Sequence, residues 1–118
     1  MTSVIEELKA EYEPVNGFYG KAYVVSINDD RVLVSYKNPL VAVNKDGGNL
    51  VLSVEPRELT PTALRHVREF LKQNGYENQK LVNSEIKKLH DDSKCEVNKD
   101  DARFTDAKEA FNASDYAK

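Results

Sequence analysis

Lys21-Ala22-Tyr23-Val24-Val25-Ser26-Ile27-Asn28-Asp29-Asp30-Arg31-Val32-Leu33-Val34-Ser35-Tyr36 reads as two β-strands joined by a turn. β-Branched and aromatic residues fill both halves, as they do on pleated surfaces, and the polar Asn28-Asp29-Asp30 separates them. Alternation then assigns sides. Ala22, Val24 and Ser26 share one face, Tyr23, Val25 and Ile27 share the other, and Val32 and Val34 oppose Leu33 and Ser35. Both faces of the first strand are apolar, which predicts cover on each side of the sheet, from this chain or from a partner.

Downstream, Lys37-Asn38-Pro39 is expected to turn the chain, because proline donates no ladder hydrogen bond and holds the preceding residue extended. Leu40 to Asn44 and Asn49 to Val54 follow as strands. Lys45-Asp46-Gly47-Gly48 joins them, with Asp-Gly and Gly-Gly permitting the positive φ angles of a tight hairpin. The expectation is a four-stranded antiparallel meander. Upstream, Val4, Ile5, Leu8 and Tyr12 fall at helical spacing, with Ser3 and Glu6 placed as a capping box. That predicts an N-terminal helix over Ser3 to Tyr12.

The strongest helical pattern runs from Pro61 to Asn74. Thr60 suits the N-cap, Pro61 occupies the first helical position where its missing N–H is harmless, and Gly75 stands just past the end. Leu64, Val67, Phe70 and Leu71 form a stripe that should pack on the sheet. A second amphipathic stretch, Gln79 to His90, sets Val82, Ile86 and Leu89 against Lys80, Lys87 and Lys88. Beyond His90 the tract Asp91 to Asp101 is polar, followed by a short helical pattern over Asp106 to Ala113. The reading is therefore a single α+β domain over residues 1–90, with one or two helices on the sheet, and a loosely held acidic tail over 91–118.

Composition narrows the function classes. The chain has 118 residues, a net charge of −3 and a single cysteine. One cysteine excludes an internal disulfide and a multi-cysteine zinc site, and a reducing, cytoplasmic setting is expected. No apolar run approaches the roughly 18 residues of a membrane-spanning helix, and the acidic start lacks the pattern of a signal peptide, so no membrane role is expected. Charge is distributed unevenly. Residues 57–90 hold seven bases and four acids, whereas 1–56 and 91–118 each hold eight acids and five bases.

Candidate sites were sought by chemistry. There is no Gly-x-Ser-x-Gly elbow, phosphate-cradling glycine loop or His-Glu-x-x-His pair, so an enzyme is not expected. His90, Asp91, Asp92 and Cys95 make an incomplete metal shell, and acidic neighbours disfavour a Cys95 thiolate; no metal or cofactor is expected. Arg65, Arg68 and Lys72 lie at i, i+3 and i+7 on the best helix, with Arg57 before it, a ridge that could meet phosphates. Glu69 and the overall negative charge favour a solvated face instead. Tyr19, Tyr23, Tyr36 and Tyr76 cluster around turns and sheet edges, where rings with a polar tip suit protein interfaces. Ordinary half-buried packing explains tyrosines on strands more readily. The order helix, strands, helix is also that of double-stranded-RNA-binding domains, but the lysine cluster those domains carry at the start of the last helix is absent from Thr60-Pro61-Thr62-Ala63-Leu64.

Leu59-Thr60-Pro61-Thr62-Ala63-Leu64-Arg65-His66-Val67-Arg68-Glu69-Phe70-Leu71-Lys72-Gln73-Asn74-Gly75 resembles a segment of a group of short phage and prophage proteins of Gram-positive bacteria. In that group a few strands precede a threonine-started helix carrying a histidine, a Phe-Leu pair and Asn-Gly. The upstream Phe18-Tyr19-Gly20-Lys21-Ala22 is similar too. The resemblance carries no activity across. The phage context it implies, together with the absence of catalytic constellations and the net charge, leads to the expectation of a non-enzymatic phage accessory protein that binds a host or phage protein stoichiometrically, as inhibitors of host defence systems such as anti-CRISPR proteins do. Nucleic-acid binding through Arg57, Arg65, Arg68 and Lys72 is the alternative expectation.

Overall fold

The computed structural model describes residues 3–8, 22–44, 50–54, 58–76 and 96–114. Six strands form one sheet in sequence order: β1 (Ser3–Glu7), β2 (Ala22–Ile27), β3 (Asp30–Ser35), β4 (Asn38–Asn44), β5 (Val51–Leu52) and β6 (Glu96–Val97). The first five are antiparallel neighbours, and β6 runs parallel to β5. Among the described residues two α-helices cover the sheet, α1 (Pro61–Leu71) and α2 (Ala102–Asn112). The α+β class is present, and the antiparallel meander has five strands where four were expected, with a parallel sixth added at its edge.

Alternation along the strands builds two cores. Ala22, Leu33, Val41 and Val43 meet Leu64, Val67, Phe70 and Leu71 of α1. Tyr23, Val25, Ile27, Val32 and Val34 meet Phe104, Ala107 and Phe111 of α2. The sheet is thus the middle of three layers. Its two apolar faces are covered from within the chain. One irregularity adjusts the register: Leu33 pairs with Val41 but Val34 pairs with Pro39, so Leu40 is an extra residue on β4. The bulge turns Leu40 and Val41 to the same core, and it places Pro39 where a missing N–H is tolerated.

Four expectations need correction. The first strand replaces the N-terminal helix. Ser3 to Glu7 pairs residue by residue with Ile27 to Tyr23, and Ile5 packs toward the α2 core while Leu8 enters the α1 core. An isolated helix shorter than about 12 residues is marginal in water, and a ladder on β2 satisfies the same backbone groups while burying both side chains. Residues 9–12 of the expected helix lie outside the described residues.

Second, the tail is not loosely held over residues 96–114. β6 closes onto β5, the Asn98 N–H donates to the Leu52 carbonyl at 2.8 Å, and α2 buries Phe104, Ala107 and Phe111. The expected helix over Asp106 to Ala113 begins earlier, at Ala102. Asp101 caps it by accepting from the Arg103 backbone N–H at 2.9 Å. The same carboxylate takes the Arg103 guanidinium at 3.1 and 3.2 Å, and Arg103 also reaches Asp30 at 3.7 Å.

Third, Pro39 lies within β4. The turn before it is the two-residue Tyr36-Lys37, where Lys37-Asn38-Pro39 was expected.

Fourth, α1 ends at Leu71 and continues as a wider π-helical turn over Lys72–Tyr76. Asn74 explains the widening: its side-chain N–H donates back to the Phe70 carbonyl at 2.7 Å, and its Oδ1 accepts from Arg31 at 2.6 Å. The start of α1 is as expected, with the Thr60 hydroxyl accepting from the Ala63 N–H at 3.1 Å and Pro61 in the first turn. The Lys45 to Gly48 hairpin and the helix over Gln79 to His90 lie outside the described residues.

Candidate functional site

β3 ends at Ser35, and β4 begins at Asn38. Two residues make the connection. Both, Tyr36 and Lys37, have positive φ, 50° and 70°, as a type I′ hairpin turn requires. Neither side chain is suited to that region, and each costs about 1–2 kcal/mol there relative to glycine. Surrounding contacts hold the turn in place. The Asn38 side-chain N–H donates to the Tyr36 carbonyl at 3.2 Å, and the Tyr36 ring leans over the His66 imidazole with centroids 5.9 Å apart and planes at 37°. The Ser35 hydroxyl and His66 Nδ1 share a buried hydrogen bond of 2.8 Å.

That Ser–His pair could suggest a nucleophile and its base. Its burial gives it a structural role. Ser35 is 3% exposed and His66 1%, so the hydrogen bond ties β3 to α1 under the tyrosine ring. The consequence lies on the surface. Tyr36 is 52% exposed and stands over the tie that anchors it.

Beside Tyr36 the hairpin end of the sheet opens into a groove of about 630 Å3. Its walls come from three parts of the chain: the Ser35–Leu40 hairpin, the Glu58–Ala63 approach to α1, and Lys99 with Phe104, Thr105 and Lys108 around α2. Ser53 and Val54, just beyond β5, complete the lining. The Ser53 hydroxyl donates to the Pro39 carbonyl at 2.7 Å, which satisfies the backbone at the bulge. At the other end of α1, a smaller polar cleft of about 260 Å3 is lined by Glu6, Glu7, Arg31, Gln73 and Asn74.

The structure separates the four tyrosines. Tyr36 is at the hairpin tip. Tyr23 is 7% exposed with its ring 5.1 Å from that of Phe111, so it is a core residue and not a contact residue. Tyr76 lies in the π-helical turn, and Tyr19 is outside the described residues. Of the cationic ridge, Arg65 is exposed, whereas Arg68 and Lys72 are half-buried and Arg57 lies outside the described residues. His66, adjacent to that ridge in sequence, faces inward. No group of three or more metal-ligating side chains occurs among the described residues, and no described helix is long and apolar enough to cross a membrane.

Sequence reasoning missed Leu59, Lys99, Phe104 and Lys108 as parts of one site. Tyr36 was visible as an interface candidate, and the turn beside it was visible because Lys37-Asn38-Pro39 carried a breaker signal. Nothing local announces that residues 35–40, 58–63 and 99–108 converge.

A small three-layer α+β domain with a groove at one end of its sheet is the class that these observations define. The chain belongs to the family of unknown function DUF8033, whose model matches residues 7–88. That span holds the hairpin and the α1 wall of the groove, while Lys99, Phe104 and Lys108 lie beyond it. No curated protein and no solved structure matches the chain.

Proposed function

We propose that this chain is a non-enzymatic accessory protein of phage or prophage origin that acts by stoichiometric binding to a host or phage protein, with Tyr36 and the adjoining groove as its contact surface. One observation carries the binding reading. A large aromatic side chain is held half out of the protein on a turn whose backbone conformation is unfavourable for it, next to an apolar groove. Strain retained at a surface position points to a use there, and a tyrosine fixed in place gives contact area at little cost in conformational entropy. The phage setting rests on the resemblance of the Leu59 to Gly75 segment. The cytoplasm of the host cell is the compartment that goes with it.

Tyr36→Gly tests the reading. Glycine removes the ring and suits the positive φ, so the variant folds as well as the parent and differs mainly at the surface. Cross-linking in host lysate should yield a one-to-one adduct with the parent and lose it with Tyr36→Gly, at unchanged circular dichroism and a thermal midpoint no lower than the parent's. A parent that forms no such adduct, or a variant that forms the same one equally well, refutes the proposal.

A further inference from the structure

The hydroxyl groups lining the groove bear on what it accepts. Ser35 is bonded to His66, Ser53 to the Pro39 carbonyl, and Thr60 to the Ala63 N–H. These three groups are engaged within the protein, which leaves the exposed Tyr36 and Thr105 as the other hydroxyl groups of the lining, few to orient a small polar ligand. What the groove offers is apolar surface from Pro39, Leu40, Val54, Leu59, Ala63 and Phe104. Among the described residues, its exposed charges are Lys99 and Lys108 on the α2 side and Glu58 opposite. Lys37, also exposed, follows Tyr36 in the hairpin turn. The rim is therefore locally basic on a chain whose net charge is −3.

We infer that the groove docks a partner segment in which apolar side chains alternate with carboxylates, the apolar groups entering between the hairpin and the helices and the carboxylates facing Lys99 and Lys108. The inference rests on the protein-binding reading above and adds the chemistry of the partner. The net charge of the chain points instead to a basic partner, and the two expectations separate cleanly. Like charges brought together oppose binding, so a segment carrying ammonium groups would meet Lys99 and Lys108 unfavourably.

Fluorescence anisotropy of the full chain with a labelled peptide of alternating leucine and glutamate tests this, with the lysine-for-glutamate peptide as control. The glutamate peptide should bind, weaken with added salt, and perturb the amide signals of Leu40, Val54, Lys99 and Lys108. Lys99→Glu/Lys108→Glu should weaken it about tenfold, since each exposed pair contributes modestly and reversal also adds repulsion. The same double variant should gain affinity for the lysine peptide. Equal binding of the two peptides, or no change on charge reversal, overturns the inference. So does a concentration-dependent dimer that Tyr36→Gly dissociates, because a second copy of the chain would then be the occupant. If the glutamate peptide fails while the parent, unlike Tyr36→Gly, still captures its one-to-one partner, the partner chemistry falls and the binding reading stands.

Discussion

The two faces of the sheet are covered by helices of the same length, 11 residues each, yet they are held by different means. α1 buries Leu64, Val67, Phe70 and Leu71 and also brings polar groups into the interior, with His66 bonded to Ser35 and Asn74, just past its end, bonded to Arg31. α2 buries Phe104, Ala107 and Phe111, and its polar ties sit at its start, where Asp101 and Asp30 hold Arg103. α1 is thus tied along its length by a broad apolar stripe and buried hydrogen bonds, whereas α2 combines a three-residue stripe with a charged tie at its start.

The sharpest challenge to that contrast compares one phenylalanine from each face. Phe70→Ala should cost about 4 kcal/mol and Phe111→Ala about 3 kcal/mol in denaturant unfolding, both within the range for buried phenylalanines. Hydrogen exchange should separate them further. Phe111→Ala should release the α2 amides while α1 stays protected, and loss of protection in both helices together would show that the two faces unfold as one unit.

A smaller effect is expected at the Ser–His tie. Ser35→Ala removes one buried partner from His66 and should cost about 1–2 kcal/mol, with a faster-exchanging hairpin turn. A variant as stable as the parent would remove the buried hydrogen bond as a distinguishing feature of the α1 face.

The smallest effect is at the α2 anchor, and it depends on pH. The Arg103 side-chain hydrogen bond holds the Asp101 carboxyl below its ordinary value. Because the folded pKa is the lower one, the stabilisation is present above the ordinary carboxylate value and is lost as pH falls through the folded value. Asp101→Asn keeps a competent N-cap but removes the charge. It should therefore lower stability modestly at neutral pH and leave it unchanged at low pH, which flattens this part of the acid limb of the stability profile. An unaltered acid limb would show that Arg103 does not anchor α2 through charge.

Much of the α1 half of the molecule was legible because its signals are local. Thr60 and Pro61 mark the helix start, and the alternation in Ala22 to Ile27 states that both sheet faces need cover. The α2 half was less so. Phe104, Ala107 and Phe111 lie at helical spacing, but a polar tract precedes them, and only the free edge of β5 gives Glu96-Val97 a reason to be a strand. The candidate site was the least legible. Tyr36 was read as an interface residue alongside Tyr23, but the sequence carries no sign that one lies in the core and the other at a hairpin tip.

By itself the sequence settled the α+β class, the antiparallel meander and the capped start of α1, because turns, caps and periodicity are energies between near neighbours along the chain. Tertiary structure alone decided that Ser3 to Glu7 is a strand, that α2 closes the second face, and that Tyr36 stands beside a basic-rimmed groove. Those outcomes depend on contacts between residues far apart in sequence, whose favourable energy exists only once the sheet has brought them together.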